Sequence, residues 1–573
     1  MNQTASLADL NKKTNTKEAC EEKREEKCSM KKSLKSLLAV CLAAAMAVTA
    51  TGCGGSSAPA SGGSSTESGA AGGEAAAGEA AAGEEKLSSR DTLNMACKSE
   101  PTSLDPAQTK DLVTWAFMYN VSDSLLYFNW ETQEYEPAIA TEWSASDDGL
   151  EYTFTIRDGV KFHNGDTMTV DDVVFSLNRA IESSFTAQTN GCMDHFEKVD
   201  DSHVKAVLKY AYAPFIEIMT NPAYSIVSER AVKECEAAGK DFGREPVGCG
   251  AYKLKSWQSG NKLEFERFDD YYRGTPKMKN INWTIITDAS AGAMALESGE
   301  IDYYYKVSNA DFKHLSELPN LQSKIDEKGF GLFDITFNTT DGPFKDVNLR
   351  KAVAYAINRE ELVQGGAEGY GVVDDCWCAT GATGYLPDFK WYEQDLDKAK
   401  ECLAAAGYPN GIDVVFTQDS SDTYMAPAEI MQAQLAKVGI NVTFEKLQRS
   451  VWIDTVSGNR QFEASLRMTN HVVNDAEYLL RRRLTSAMLG GGNNYAGYQN
   501  PEFDKLVDEA TAETDTTKRN EIFRQCYEMI KEDVPAIPLY TSTSPIIISK
   551  YVKGWTFHPL ERNVWANAYL VEE

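Results

Sequence analysis

Apolar and polar positions alternate along much of the chain, and the alternation predicts its elements. Tyr152, Phe154 and Ile156 alternate with Thr153, Thr155 and Arg157, the period of a half-buried strand. Asp158-Gly159 then predicts a hairpin turn, with residues 160–162 as the return strand. Thr169 stands as a helix cap with Asp172 in the first turn, and Val170, Val174, Leu177 and Ile181 form the apolar stripe. His163, beside the turn, reads as a solvated loop residue. Further strands are expected at Thr92–Cys97, 263–268, 281–286, 301–305, Gly331–Phe337 and 537–540. Helical spacing covers 112–126, 289–298, 349–357, 503–510 and 519–530. Residues 413–417, a helix over 428–438 and Ile440–Leu447 form a strand–helix–strand unit, with Gly439 closing the helix. That unit implies parallel strands and a right-handed crossover. The class is α/β throughout.

The first 90 residues follow none of these patterns. From Met30, a basic head (Lys31, Lys32, Lys35) precedes an apolar run of 14 residues, 37–50. A bilayer span needs about 20 residues, so this is the outline of a secretory signal, and Met30 is the natural start. Ala50-Thr51-Gly52-Cys53 resembles a lipobox, which implies cleavage before Cys53 and a lipid on its thiol. A plain secretory signal is the alternative. Residues 54–85 hold Gly, Ser, Ala and Glu with almost no large apolar side chain, a flexible stalk.

Charge narrows the function classes. The chain carries −28, and residues 1–52 carry +3, so the exported part is near −31. That acidity excludes nucleic acid, which needs basic patches, and leaves the lipid as the only membrane contact. No zinc-protease, serine-hydrolase, phosphate-loop or dinucleotide motif is present, and the six histidines are scattered. Cys376-Trp377-Cys378 lacks a second ligand pair for zinc. No metal, cofactor or catalytic residue is expected.

The order of several segments resembles family 5 extracellular solute-binding proteins, the oligopeptide- and dipeptide-binding type that feed ABC importers. The segments are Ser103-Leu104-Asp105-Pro106; Tyr152 to Gly165, YTFTIRDGVKFHNG; Thr169 to Ala180, TVDDVVFSLNRA; and Pro246 to Tyr252, PVGCGAY. Phe337-Asn338-Thr339, the stretch 349–359, Ala404 to Pro409 and Asn500 to Asp504 continue the series. Cys249 and Ala251 depart from the family's Thr and Pro. The resemblance implies a two-lobed periplasmic-binding-protein-like fold (type II, cluster C) with an extra domain inserted in the first lobe. It implies residues 91–138, 246–335 and 541–573 as lobe 1, 139–245 as the insert and 336–540 as lobe 2. Residues 331–338 and 535–542 would be hinges, and 1–52 and 53–90 the signal and the anchored stalk. The lobes would close on a peptide for an ABC permease, outside the cell, as a lipid-anchored monomer.

The resemblance also implies where ligand binds. One place is the loop 107–111, with Lys110 and Asp111. The other is 466–475, with Met468, Asn470, His471 and Asp475. Peptide binders often place an acid three residues before the second Asp to pair the peptide ammonium; here Val472 stands there, and Lys110 stands where some carry an acid. Either Asp475 or Glu477 takes that role, or the solute is not a free-amine peptide but a modified peptide, a sugar, a metal chelate or another polar solute. Trp377 is a candidate to stack on ligand or to pack between lobes, and His471 to face the cleft or fill the core. The Arg481-Arg482-Arg483 run is a solvated or ion-paired helix end, or supplies a partner for a ligand carboxylate. A surface enzyme and a receptor remain the other function classes.

Overall fold

The computed structural model describes residues 86–573, apart from 110, 490–492, 544, 557, 559–562 and 573. Two large sheets carry the two lobes. The first has seven strands in the order Leu321–Lys324, Ile546–Ser549, Tyr303–Tyr304, Thr92–Cys97, Asn280–Ile285, Lys262–Arg267, Tyr252–Gln258. The second has six, in the order Gly371–Val373, Ala536–Ser542, Gly331–Phe337, Ala464–Asn470, Ile412–Asp419, Ile440–Leu447. The last two pair in parallel around the helix Met425–Ala436, and Gly439 closes that helix at φ +91°. The expected strand–helix–strand unit is therefore present.

The middle strand Glu151–Ile156 has both edges occupied, by Ala140–Ala145 and His203–Leu208. Residues 160–162 therefore form no return strand; only Lys161 makes a single bridge, to Thr167. The four-stranded sheet is completed by Met193–Lys198 and covered by the helix Val170–Glu182. That helix starts in a capping box, in which Thr169 accepts from the Asp172 N–H and Asp172 accepts from the Thr169 N–H. Its last-turn Arg179 donates to both oxygens of buried Asp105 at 2.6 Å. The Leu-Asp-Pro loop and the TVDDVVFSLNRA helix are thus locked by one bidentate pair. His163 is not simply solvated. It is half-buried, donates to the Gly250 carbonyl at 3.0 Å when its proton sits on Nε2, and burial pushes its pKa down to about 4.

The helix expected over 112–126 ends at Val121, and Leu126–Asn129 becomes a strand. The backbone of Gly250 packs against that helix end. A Cβ there would sit 2.6 Å from the Asn120 carbonyl oxygen, so this glycine of the PVGCGAY segment is required by close approach. The strand expected over 301–305 is paired only at Tyr303–Tyr304.

The expected hinge strands lie inside the second sheet. Gly331–Phe337 and Ala536–Ser542 pair with each other, Gly331 opposite Ser542. The chain passes between the two sheets just outside them, after Lys324 and after Ser542. The boundary drawn by sheet pairing therefore precedes Gly331 and follows Ser542, not 335/336 and 540/541. The expected signal, stalk and lipid-bearing Cys53 lie outside the described residues. No helix among the described residues is long and apolar enough to cross a membrane.

Candidate functional site

The strand Ala464–Asn470 ends where the lobes face each other. His471, Val472 and Asn474, just beyond it, line a small space together with Phe128, Trp130, Glu217, Phe330 and His558. Three of these eight residues follow the second sheet; Phe330 lies on a crossing segment, and the others come from the first lobe's side. The space is about 10 Å³, room for one water, so the lobes stand closed on each other here. A larger hollow of about 560 Å³, lined by Arg90, Asp302, Asn320, Ser549 and Tyr551 among others, lies at the edge of the first sheet and not between the lobes.

His471 is the pivot of this region. It is 1% exposed, and burial pushes its pKa down to about 4, so the ring is neutral at pH 7. Its Nε2 accepts from the Ala379 N–H at 3.1 Å, which puts the proton on Nδ1. Its backbone N–H donates to the Phe330 carbonyl at 3.0 Å. The loop 374–384 bonds to several segments around the site. Thr380 Oγ1 accepts from the Gly329 N–H at 3.1 Å and donates to the Glu327 carbonyl, while the Thr380 N–H donates to Thr541 Oγ1 at 3.1 Å. Thr541 in turn donates to Asp374, whose carboxyl burial holds far above the usual range. The Thr383 N–H donates to the Asn474 carbonyl at 3.1 Å, and the Ala476 N–H donates to the Thr383 carbonyl at 2.8 Å. One loop therefore joins the first crossing segment and the end of the strand Ala536–Ser542 to the site.

The residues expected from sequence are only partly brought together. His471 lines the interlobe space, as do its neighbours Val472 and Asn474. Asp475 does not offer a free carboxylate. It is buried, takes both Arg519 guanidinium nitrogens at 2.5 and 2.9 Å, and caps the next helix through the Glu477 N–H. Burial raises its carboxyl in spite of Arg519. Glu477 is likewise engaged, by Arg481, Thr511 and Tyr212. Neither therefore stands ready to replace an acid at Val472. Trp377 is wholly buried between Cys376 and Cys378 and does not line the space. Its ring is core, not a stacking platform. Asp111 caps the helix Leu112–Val121, accepting from the Thr114 N–H at 2.8 Å. Met468 sits against Gly331, with its N–H on Tyr424 Oη at 3.2 Å, and Asn470 is exposed at the strand end. Lys110 lies outside the described residues. Among those residues no cluster of three His, Cys, Asp or Glu is placed to hold a metal.

Trp130, Glu217, Phe330 and His558 were not foreseen. They sit on a hairpin, a four-residue helix, a crossing segment and the C-terminal tail, where no periodicity marks a functional residue. His558 and Trp130 stack at 5.4 Å between ring centroids, and Phe330 meets Trp130 edge-on at 5.3 Å.

The profile described as "Bacterial extracellular solute-binding proteins, family 5 Middle" matches residues 134–489, well over half of the chain. The chain belongs to this family. It is 28% identical to heme-binding protein A of Haemophilus influenzae over 83% of this chain and 91% of that protein. It is also 28% identical to the glutathione-binding protein GsiB of Salmonella typhi, covering 82% and 93% respectively. Among solved structures, the periplasmic binding protein DppA of Helicobacter pylori with the peptide STSA aligns at TM-score 0.72, 26% identity, over 85% of this chain and 99% of that one. HbpA2 of Haemophilus parasuis aligns at TM-score 0.76 and 26% identity, over 84% of this chain and 100% of that one. The two-lobed α/β fold is that of family 5, and the protein is a solute-binding protein of that family.

Proposed function

We propose that this family 5 protein captures a short peptide between its lobes and presents it to an ABC permease outside the cell, tethered by a lipid on Cys53. The observation that carries the reading is the interlobe space, where residues that follow one sheet meet Trp130, Glu217 and His558 across from them. Ligand favours the closed form and shifts the population toward it, and closure is what a permease can read. No bond is made or broken in this cycle. The similarity to a glutathione binder and to a peptide-bound DppA supports a peptide solute. A solute without a free ammonium is the second reading, favoured by Val472 and by the commitment of Asp475 to Arg519.

The test is a thermal-shift screen of di- and tripeptides, glutathione, sugars and metal chelates, with solution scattering on each hit. A peptide at one hundred times its Kd should stabilise the folded state by about 2.7 kcal/mol and reduce the radius of gyration. Shifts from sugars or chelates alone select the second reading. For the anchor, palmitate should label the wild-type protein in cells and not Cys53→Ala; equal labelling of both ends the lipid proposal.

A further inference from the structure

The loop that holds His471 carries two thiols that solute capture does not use. Cys376, Trp377 and Cys378 are each 0% exposed. Both cysteines are thiols in this structure, and they are hydrogen-bonded to each other. Cα atoms two residues apart stand at most about 7 Å from each other, and a bend draws them closer. The chain bends at each of residues 375–378. A disulfide needs about 4.4–6.8 Å between its Cα atoms, so a bent Cys-x-Cys turn with touching thiols meets that demand.

The surroundings suit a disulfide as well as they suit two thiols. The Leu386 N–H donates to Cys376 Sγ at 3.4 Å. The Tyr527 hydroxyl shares its hydrogen between Cys378 Sγ at 3.1 Å and the Gly384 carbonyl at 2.9 Å. Both contacts use sulfur as an acceptor, a weak role that a disulfide sulfur keeps. Apart from the thiol–thiol bond, oxidation forfeits only the bond from Cys376 Sγ to the Leu386 carbonyl at 3.3 Å. Proteins of this extracellular family meet an oxidising medium, where thiol pairs close.

We propose that Cys376 and Cys378 form a disulfide while the protein folds outside the cell, and that the small ring so closed sets the loop against His471. The step is thiol–disulfide exchange with an external disulfide. The Cys378 thiolate attacks one sulfur of that disulfide, the external S–S bond breaks, and one external thiolate leaves. The Cys376 thiolate then attacks the Cys378 sulfur of the mixed disulfide, and the second external thiolate leaves. One external disulfide becomes two thiols, which take the two protons that the cysteines gave up. Burial holds the folded Cys378 thiol far above its usual range, so the attacking thiolate forms before the core closes. Once closed, the core shuts the bond away from reductants. Ala379 follows directly in the chain, and its N–H donates to His471 Nε2 at 3.1 Å. The ring fixes the backbone that leads to this donor.

The full chain, exported by a bacterial host and purified without reductant, is unfolded in iodoacetamide, digested and weighed. Cys376 and Cys378 should carry no alkyl group, and their peptide should be two hydrogens lighter than the dithiol; after reduction both should be alkylated. Alkylation of both before reduction, or a link from either to another cysteine such as Cys526, overturns the disulfide. For the loop, hydrogen exchange compares wild type refolded in a glutathione redox buffer with wild type refolded in excess reductant. The peptide containing Ala379 should exchange about tenfold faster in the reduced protein, through the chain entropy that so short a ring removes. Cys376→Ser/Cys378→Ser should match the reduced protein in either buffer, which assigns the effect to this pair; should that variant not fold, the two wild-type preparations still decide. Equal exchange in those preparations, or a buffer difference that persists in the double variant, overturns the hold of the ring on the loop.

Discussion

Arg519→Met is expected to lower the stability of the folded state by about 3–5 kcal/mol, the usual cost of removing one member of a buried ion pair. Arg519 is the counter-ion of Asp475 through two hydrogen bonds, and both side chains are nearly inaccessible, 7% and 4% exposed. Without it the Asp475 carboxylate stays buried at the start of the helix Ala476–Leu484, with Glu477 two residues on and no compensating cation of its own. The damage falls on the segment that lines the interlobe space, so ligand-induced closure should weaken as well. Denaturant unfolding of wild type, Arg519→Met, Asp475→Asn and the double variant measures it. The double variant should be less impaired than the sum of the singles, because it leaves no lone charge inside.

Acidification from pH 7 to pH 4 is expected to remove about 3 kcal/mol through His471 alone. The unfolded imidazole titrates near 6.5 and the folded one near 4, because burial disfavours the charged ring. A depressed folded pKa means that the stabilisation is complete above pH 6.5 and disappears as pH falls toward 4. His163, displaced in the same direction, adds to the slope. A protonated His471 also meets the Ala379 N–H with a proton on Nε2, where it now accepts, so the loop 374–384 loses its hold on the cleft segment. Glu217 and His558 share that space and are the titratable groups facing it. His471→Gln should be less stable than wild type at pH 7 and should lose less between pH 7 and 4. Urea midpoints at the two pH values read both effects.

Local pattern made the elements legible, and tertiary geometry decided the site. Thr169 with Asp172, and Gly439 after a helical run, each name their own structure, since the hydrogen bonds involved span four residues or fewer. The false return strand at 160–162 shows the limit. A turn signal predicts a reversal, but the edges of Glu151–Ile156 are taken by Ala140–Ala145 just before it and by His203–Leu208, more than 40 residues on. Asp475 shows the same limit in the site. Its sequence neighbours suggest an acid near a cleft, and only the fold brings Arg519 to it from a helix 44 residues later. Val472 was legible as a missing charge. Glu217, Trp130 and His558 were not, because residues from three separate segments meet there without any shared spacing.

The pairing of Gly331–Phe337 with Ala536–Ser542 has a mechanical consequence. Neighbouring strands in a sheet lie about 4.8 Å apart, so the two passages between the sheets leave from adjacent points at one end of the same ladder. Two short tethers side by side permit swinging about the line that joins them and resist twisting or sliding across it. The clamshell therefore has one soft direction, and whatever fits the mouth must enter and leave along it.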